Sequence, residues 1–231
     1  KILDIYKNVS HTHLAMPVLT GKKSDSEKFA GAVDTYCIEA MMGDKRALQA
    51  GTSHYLGQNF AKAFDVKFQT EDNQEEYVYA SSWGVSTRLI GAIIMVHGDD
   101  RGLRLPPRIA PTQVVVVPFF KNSEELLKIK EYLNGHLYKL SAEGIRWYFD
   151  DREKMSPGYK FNEWELNGAP IRLEIGSQEI ESGEITLFRR DLNTKETISD
   201  KLISTKVIEL VDIIQDNMFE QANEFMQSNI Y

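Results

Sequence analysis

Three short segments of this 231-residue chain combine residue types that could bind a ligand rather than fill a core. The first, Leu48–Phe60 (LQAGTSHYLGQNF), places polar side chains among two glycines, which allow a backbone to approach a ligand closely. Thr52 and His54 are two positions apart, so on a strand both would face the same side. A polar turn with a helix cap at Ser53 is the alternative interpretation.

The second segment, Ser81–Arg88 (SSWGVSTR), brings a large aromatic ring, a glycine and hydroxyl groups next to an arginine. Because Arg88 directly precedes the apolar run LIGAIIM, its guanidinium is expected near the core, and a buried arginine needs a partner. A phosphate group or a stacked purine would satisfy it, since the guanidinium is planar and permanently charged. A core carboxylate is the alternative partner.

The third segment and the remaining polar clusters give weak metal signals. Two aspartates lie between glycines in His97–Gly102 (HGDDRG) and could hold a metal, but a plain turn is favoured. His11 and His13 have no companion carboxylate nearby. Cys37 is the only cysteine, which excludes a disulfide framework and a cysteine-rich zinc site within this sequence. We therefore predict no metal site, and the cysteine content fits a reducing, cytosolic compartment.

Composition places the chain among ordinary globular proteins, with 42% hydrophobic and 26% charged residues. No run of 18 apolar residues exists, so no membrane span is predicted, and the first ten residues do not resemble a signal peptide. The net charge is −7: residues 1–110 carry 13 positive and 13 negative side chains, and residues 111–231 carry 14 and 21. Because general nucleic-acid binders are usually basic, any RNA contact here must be local.

The second half has the pattern of a compact α/β domain. Residues 113–120 (QVVVVPFF) form a β-branched run typical of a strand buried on both faces of a mostly parallel sheet. Asn122 and two glutamates then begin a helix that continues at helical spacing to about Ser141. Further strands are predicted at 145–149, 171–175 and 184–190, and a closing helix at 206–223. The resulting order is β-α-β-α-β-β-α.

The first half mixes apolar segments with glycine-rich turns. We predict strands at Thr35–Met41 and Tyr77–Ser81 and a short helix at Gly57–Ala63. The apolar run Thr87–Met95 fits either a helix or a buried strand, and a helix is favoured because the run follows the capping residue Ser86. Leu105–Arg108 (LPPR) marks the boundary between the halves, since two prolines stop regular structure.

Taken together, these segments resemble prolyl-tRNA synthetases, class II aminoacyl-tRNA synthetases, of the archaeal and eukaryotic type. The matching words in the first half are EKFAGA (27–32), IEAMM (38–42), ALQAGTSHYLGQNF (47–60), SWGVSTR (82–88) and HGDDRGLRLPP (97–107). Those in the second half are DDR (150–152), PGYKF (157–161) and WEL (164–166). The resemblance extends along nearly the whole chain, and ordered runs of this length are far more specific than one short motif.

The resemblance implies an α+β class II catalytic core, present in part, followed by a compact α/β anticodon-binding domain. The implied limits are 1–109 for the core part, 110–206 for the anticodon-binding domain, and 207–231 for a closing helix that leads to a further domain. The implied reaction has two steps: ATP activates proline to prolyl-adenylate, and the prolyl group then passes to tRNA(Pro). Proline, ATP with Mg²⁺, and tRNA(Pro) are the implied substrates, with a cytoplasmic location and a homodimer in the full-length parent.

The functional positions of the family fall on the polar segments described above. Arg88 matches the family's motif 3 arginine, which stacks on adenine and faces the triphosphate, so it is the implied catalytic residue. The other implied ATP contacts are Gln49, Thr52 and Ser86. The implied proline pocket is formed by His54, Trp83, Gly84 and Phe29.

The chain also departs from the family. It lacks matches to motif 1, to the proline-recognition Thr-x-Glu segment and to the motif 2 arginine, so this piece alone is expected to be catalytically incomplete. No match to the C-terminal zinc-bearing domain occurs. In Gly176–Glu179 (GSQE), Gln178 stands where family members often have a basic residue. The possible RNA contacts that remain are Arg152, Lys160 and Arg172.

Three other functions stay open at this point. The chain could be a module derived from a class II synthetase that binds tRNA or a partner without ligation, which the missing motif 2 favours for the piece itself. It could serve threonine, glycine or histidine instead of proline, although SWGVSTR and GTSHYLGQNF argue against this. An unrelated small-molecule α/β enzyme has only the fold pattern in its favour.

Overall fold

The computed structural model describes residues 1–230, which form two compact units. The first unit contains residues 1–96 together with the end of the last helix from Phe225, and the second unit contains His97–Glu224. No helix within the described residues is both long and apolar enough to cross a membrane.

A four-stranded antiparallel sheet is the centre of the first unit. Its strands, in spatial order, are β1 (Val18–Lys22), β2 (Asp34–Met41), β3 (Ala47–Gly57) and β6 (Ala80–Gly84). Helix α1 (Ile2–Thr12) packs against this sheet, and α2 (Asn59–Ala63) follows β3. A separate hairpin consists of β4 (Lys67–Gln69) and β5 (Glu75–Tyr77), and α3 (Arg88–His97) follows β6.

Most of the elements predicted for this half are present. The strand predicted at Thr35–Met41 and the helix predicted at Thr87–Met95 are confirmed as β2 and α3. The short helix predicted at Gly57–Ala63 begins at Asn59. The single strand predicted at Tyr77–Ser81 is wrong, because β5 and β6 are separate strands that pair with different neighbours, β4 and β3.

The polar segment Leu48–Phe60 is a strand along most of its length, so the alternative of a polar turn capped at Ser53 is wrong. Strand β3 lies between β2 and β6 and pairs with both. This pairing satisfies the backbone N–H and C=O groups on both edges, which outweighs the turn preference of its glycines and hydroxyl residues.

A five-stranded mixed sheet is the centre of the second unit, in the order β11-β10-β9-β7-β8. The strands are β7 (Val114–Phe119), β8 (Trp147–Phe149), β9 (Ile171–Gly176), β10 (Glu184–Arg189) and β11 (Thr194–Ser199). The helices are α4 (Ser123–Ala142), α5 (Pro157–Leu166), α6 (Ser177–Ser182) and α7 (Ile203–Ser228). Strand β7 is parallel to β8 and β9, whereas β10 is antiparallel to β9 and β11.

The central strand β7 and helix α4 match the prediction closely. Residues 114–117 are fully buried, as expected for a strand covered on both faces. Asn122 caps α4, because its side-chain oxygen accepts a hydrogen bond from the Glu125 backbone N–H at 2.9 Å. The buried side of this helix consists of Leu126, Ile129, Leu133, Leu137 and Leu140. The predicted mixed α/β class is confirmed.

Two elements of the second unit are missing from the predicted order, α6 and β11. Helix α6 has only six residues, too few to show a helical period. Strand β11 (TKETIS) lies at the edge of the sheet with five of its six side chains exposed, so it has no alternation of apolar and polar residues. It pairs with β10 from Glu184, opposite Ser199, to Arg189, opposite Thr194. This strand is therefore fixed by contact with its neighbour and not by its own residue pattern.

The segment that follows α3 belongs to the second unit. The chain divides after Val96, earlier than the prolines at which the sequence analysis places the boundary. The Leu103 N–H donates to the Leu166 carbonyl at 3.0 Å, and the Leu105 N–H donates to the Gly168 carbonyl at 3.4 Å. The segment is therefore attached to the end of α5 by its backbone. The identities predicted for ranges 1–109, 110–206 and 207–231 stay predictions.

Candidate functional sites

A cavity of about 290 Å³ in the first unit lies between β3 and the turn that joins β6 to α3. Its lining residues are Gln49, Ala50, Gly51, Thr52, Gly84, Val85, Ser86 and Arg88. The four residues implied as ATP contacts, which lie in two segments separated by more than thirty positions, therefore meet at one cavity.

A β-bulge in β3 decides which side chains face this cavity. Ile38 pairs with Gly51 and Glu39 pairs with Gln49, so Ala50 is an extra residue in β3. Side chains three positions apart on a regular strand face opposite sides, whereas one extra residue returns them to the same side. The bulge therefore allows Gln49 and Thr52 to line the same cavity.

Gly51 lies at the point where α1 and the β6–α3 turn approach β3 most closely. A Cβ atom at this position would lie 3.1 Å from Val85 Cγ1, 3.2 Å from Tyr6 Cδ2 and 3.4 Å from Ile38 Cγ1. Such distances are shorter than ordinary carbon contacts, so any side chain would push these neighbours apart. The glycine in the GTSH word thus fixes the position of Val85, which lines the cavity.

Arg88 is exposed, so the expectation that its guanidinium lies near the core is wrong. It is the first residue of α3, where a side chain projects away from the apolar body of the helix. Its Nη1 donates to the Gln49 backbone carbonyl at 3.3 Å, and its backbone N–H donates to Ser86 Oγ at 3.3 Å. Among the described residues, no carboxylate lies within ion-pair distance of it, so most of its donors are free to bind an anion.

The implied proline pocket comes together only in part. His54 Nδ1 and Thr35 Oγ1 are hydrogen-bonded at 3.0 Å, and Thr35 Oγ1 also accepts from the Phe29 backbone N–H at 3.1 Å. The Phe29 ring lies 4.9 Å from the His54 ring. Trp83 pairs with Ser53 across the strands, so alternation places its side chain on the sheet face opposite Thr52 and His54.

A larger cavity, of about 740 Å³, lies in the second unit between α5, β9 and the β10–β11 hairpin. Its lining residues are Arg101, Gly158, Phe161, Asn162, Glu165, Leu166, Arg172, Phe188, Asn193 and Lys195. Arg172 is only 3% exposed, and its guanidinium carbon lies 4.0 Å from the centre of the Phe161 ring and 4.2 Å from that of Phe188. The planar cation is therefore enclosed by two aromatic rings at the cavity.

Two carboxylates fix this arginine from its edges. Arg172 Nη1 donates to Glu165 Oε1 at 2.9 Å, and Arg172 Nε donates to Glu174 Oε1 at 3.0 Å. The second oxygen of Glu174 accepts from Lys195 Nζ at 2.8 Å, so one buried carboxylate holds two cations of the lining. With Arg101, the cluster has three cations and two carboxylates. The cluster therefore has one more positive than negative charge, and the excess comes from Arg101, which lies outside the acidic residues 111–231.

The other two residues predicted to contact RNA are occupied within the fold. Arg152 donates to both carboxylate oxygens of Asp150, at 2.8 and 2.7 Å, and also to Glu163. Lys160 is 2% exposed and donates to the Asp150 backbone carbonyl at 2.8 Å. Burial lowers the pKa of the Lys160 ammonium. A role in RNA binding for these residues stays a prediction, and only Arg172 of the three lines a described cavity.

Asp150, at the end of β8, is the centre of this second ionic cluster. Burial alone would raise the pKa of its carboxyl group, but hydrogen bonds from Arg152 and Trp164 and the nearby Lys160 charge hold that pKa at about 2. The Trp164 Nε1–H donates to Asp150 Oδ2 at 2.8 Å. The Asp150 carboxylate thus brings together two segments that match the family, DDR (150–152) and WEL (164–166). Its role in the structure is to stabilise the end of the parallel strands.

The Gly176–Glu179 segment, where the chain departs from the family, borders a third cavity of about 520 Å³. This cavity lies at the carboxyl ends of β7 and β9 and is also lined by Phe119, Phe120, Lys121, Glu125 and Pro157. Gln178 is exposed, and Glu179 Oε2 accepts from the Gly176 backbone N–H at 2.8 Å as part of the helix cap. Gln178 is uncharged at the position where family members often have a basic residue. Lys121 is the cation in the lining of this cavity.

Most of the lining of the large cavity in the second unit was not predicted from the sequence, including Glu165, Phe188 and Lys195, and neither was Glu174, which holds Arg172 and Lys195. One signal was present: Arg172 and Glu174 alternate with Ile171, Leu173 and Ile175 in a strand (IRLEI). Charges at alternate positions of a strand share one face, and they pair when that face is covered. The rings that cover it come from α5 and β10, which the strand pattern does not specify.

The weak metal signals lead to no metal cluster. The described residues contain no group of three or more histidine, cysteine, aspartate or glutamate side chains that could hold a metal ion. The turn favoured for His97–Gly102 is confirmed, since Asp99 and Gly102 exchange backbone hydrogen bonds at 3.1 and 3.0 Å. Cys37 is buried in β2, and burial raises the pKa of its thiol.

Comparisons with known proteins give the class first. Residues 113–216 match the family described as Anticodon binding domain. This range lies inside the second unit and contains most of the lining of its large cavity, so this part of the second unit is similar to the anticodon-binding class.

Over its whole length, the chain is similar to proline–tRNA ligases of several bacteria. It is 51% identical over 230 residues to the proline–tRNA ligase of Parabacteroides distasonis, which covers all of this chain and 47% of that protein. It is 51% identical over 232 residues to the proline–tRNA ligase of Chlorobium phaeobacteroides, which covers all of this chain and 48% of that protein. It is 50% identical over 229 residues to the proline–tRNA ligase of Salinibacter ruber, which covers 99% of this chain and 47% of that protein.

The chain is therefore a homologue of the proline–tRNA ligases along its whole length, and the predicted resemblance is confirmed. The alternative of an unrelated small-molecule α/β enzyme is wrong. The chain spans about half the length of the curated relatives that it matches.

Proposed function

We propose that this chain forms part of a proline–tRNA ligase, which activates proline with ATP and transfers the prolyl group to tRNA(Pro). One observation carries the proposal: the four ATP contacts implied by the resemblance, Gln49, Thr52, Ser86 and Arg88, converge on a single cavity. Two further observations support it. The chain is about half identical to proline–tRNA ligases. Arg88 is exposed and has no acidic partner among the described residues.

In the first step, a proline carboxylate oxygen attacks the α-phosphorus of ATP. The bond to the bridging oxygen breaks, pyrophosphate leaves, and prolyl-adenylate forms. Charge develops on the phosphate oxygens, so the main contribution of the protein is to position the phosphates and stabilise that charge. Arg88 is suited to this because its planar guanidinium can stack on adenine and donate to phosphate at the same time. Mg²⁺ would enter with ATP as part of the substrate.

The proline ring would lie near Phe29 and His54. These two side chains contact each other and share a hydrogen-bonded support through Thr35. An aromatic wall suits a small apolar ring, and Gly84 leaves space beside it, since nothing lies within 4 Å of a Cβ placed there. A contact of Trp83 with proline stays a prediction, because alternation places its side chain on the other face of the sheet.

In the second step, the prolyl group passes from the adenylate to the terminal adenosine of tRNA(Pro). We assign recognition of the RNA to the second unit, whose large cavity combines two aromatic rings with three cations. Such a cavity suits an unpaired nucleotide, because the partly exposed Phe161 ring can contact a base and the exposed cations Arg101 and Lys195 can contact its phosphates. A homodimeric full-length parent and a cytoplasmic location belong to the same proposal.

Proline-dependent exchange of pyrophosphate into ATP tests the proposal. We would measure it for this 231-residue chain and for the full-length protein, with threonine, glycine and histidine in parallel. We expect exchange with proline alone and only in the full-length protein. Exchange with another amino acid would assign a different substrate. No exchange in either protein, with tRNA still bound, would replace the ligase with a non-catalytic binding module.

A further inference from the structure

The Asp99–Gly102 turn supplies one wall of the large cavity in the second unit. This turn lies within the range 1–109 predicted for the catalytic core, and neither ATP nor proline accounts for it. Its Arg101 lines the cavity, and 58% of the Arg101 side chain is exposed. Arg101 Nη1 lies 3.7 Å from Glu165 Oε2, close enough for an ion pair but too far for a good hydrogen bond. Its donors are therefore mostly free.

A buried arginine holds this turn in place. Arg190 is only 1% exposed, and it donates to both carboxylate oxygens of Asp99, at 2.7 and 2.6 Å. It also donates to Asn193 Oδ1 at 3.1 Å, and Nη2 lies 3.4 Å from the Gly102 carbonyl oxygen. One guanidinium thus joins the turn to the β10–β11 hairpin, from which Asn193 lines the same cavity.

Close packing fixes the turn on its other side. Gly102 has φ of +127°, a conformation that residues with a side chain rarely adopt. A Cβ atom there would lie 2.5 Å from Leu166 Cα and 2.9 Å from the Leu166 carbonyl oxygen. Asp99 Oδ1 accepts from the Arg101 backbone N–H at 2.9 Å, which sets the direction in which Arg101 leaves the turn. The turn is thus built to present Arg101 at a defined place.

We propose that Arg101 is an RNA-binding residue of the second unit, and that Asp99 and Arg190 are the positioning residues that hold it at the rim of the cavity. The inference rests on the proposed function, since it takes tRNA as the ligand. An exposed guanidinium suits a phosphate of the RNA backbone, while the partly exposed Phe161 ring of the same lining suits a base. The loose pair with Glu165 costs little to exchange for a phosphate.

The test is equilibrium binding of tRNA(Pro) to the full-length protein over a series of salt concentrations. For Arg101→Gln we expect roughly fivefold weaker binding at low salt, the size expected for one phosphate contact. The slope of log K against log salt should become shallower by about 0.7, because one counterion fewer is released from single-stranded RNA. Lys139→Gln is the matched control, since Lys139 is an exposed cation of α4 that lines none of the cavities described here. If both variants behave alike, the assignment of Arg101 is overturned.

Asp99→Asn tests the positioning residues. We expect it to weaken tRNA binding to about the same extent as Arg101→Gln, and the double variant to add little, because the two changes remove one contact. If the losses of tRNA affinity in the two single variants add up in the double variant, or if Asp99→Asn binds tRNA fully, the positioning role is overturned. If Asp99→Asn does not fold, Arg101→Gln still decides the RNA contact. Proline-dependent exchange needs no tRNA, so its absence from the wild-type protein would count against the proposed function and not against this contact.

Discussion

The two units hold their key arginines in opposite ways. Arg88, in the first unit, is exposed and has one backbone carbonyl as its side-chain partner. Arg172, in the second unit, is buried between two rings and held by two carboxylates. In a buried ion cluster of this kind, the charge of the arginine is neutralised by carboxylates of its own unit. An exposed guanidinium without such a partner can bind an anionic ligand. We infer that Arg172 shapes its cavity and that Arg88 acts on its substrate.

The largest effect on stability is expected from Glu174→Gln. The change leaves the buried Arg172 without one carboxylate and removes the partner of Lys195, so the free energy of unfolding of the second unit should fall by about 3 kcal/mol. Hydrogen exchange at the amides of β9 and β10 would measure it. Glu196→Gln, on the exposed side of β11, is the control. Equal protection in both variants would mean that Arg172 is not held as described.

Arg88→Ala should give the converse result, a large loss of activity at unchanged stability. Removing one group that stabilises charge in the transition state should lower proline-dependent ATP–pyrophosphate exchange by roughly 10²-fold or more in the full-length protein. The thermal unfolding midpoint should stay at the wild-type value, because the side chain is exposed. Arg88→Lys keeps the charge and should recover only part of the activity. Exchange within about threefold of wild type would make Arg88 a structural residue and remove the contrast with Arg172.

A smaller effect is expected from His54→Ala. The ring supports Phe29 and lies beside the proposed proline pocket, so the KM for proline should rise roughly tenfold, the size typical of lost contacts in a small apolar pocket. The KM for ATP should change little. Exchange kinetics with each substrate varied in turn would separate the two. A change confined to the KM for ATP would show that His54 belongs to the nucleotide cavity.

Asp150→Asn is expected to lower stability at neutral pH, where the wild-type carboxylate is ionised, and the difference from wild type should shrink in acid. The carboxyl group has a pKa of about 2 in the fold, below the ordinary value, despite the opposing effect of burial. Its ionised form therefore contributes stability above about pH 4, which is lost as the pH falls from about 4 towards 2. Unfolding midpoints between pH 6 and pH 2.5 should fall less steeply in Asp150→Asn than in wild type or in the control Asp216→Asn. Parallel curves would mean that the Asp150 cluster does not titrate as stated.

Local patterns in the sequence predict the second unit best where the core is continuous. The run at 113–120 and the cap at Asn122 give β7 and α4 almost to the residue, because burial on both faces and capping are local signals. The same reasoning fails for β11, since an exposed edge strand is fixed by the neighbour with which it pairs.

The cavity of about 290 Å³ in the first unit was predictable as a set of residues and not as a geometry. The words around Gln49 and Arg88 identify its lining, but the bulge at Ala50 and the exposure of Arg88 depend on pairing between strands. The ionic cluster of the other cavity was harder to foresee, because Arg172 meets side chains of α5 and β10, and its partner Glu174 on β9 also binds Lys195 of β11. Contacts between separate elements do not show in a local pattern.

The buried thiol of Cys37 has a practical consequence for spectroscopy. Thiol-directed dyes react with the exposed thiolate, and this sulfur is both covered and shifted away from the thiolate form. Within this chain, a cysteine introduced at an exposed position such as Lys139 would therefore be the one that takes the dye, with Cys37 left in place. A fluorophore on α4 would then report on the anticodon-binding domain by anisotropy when tRNA is added.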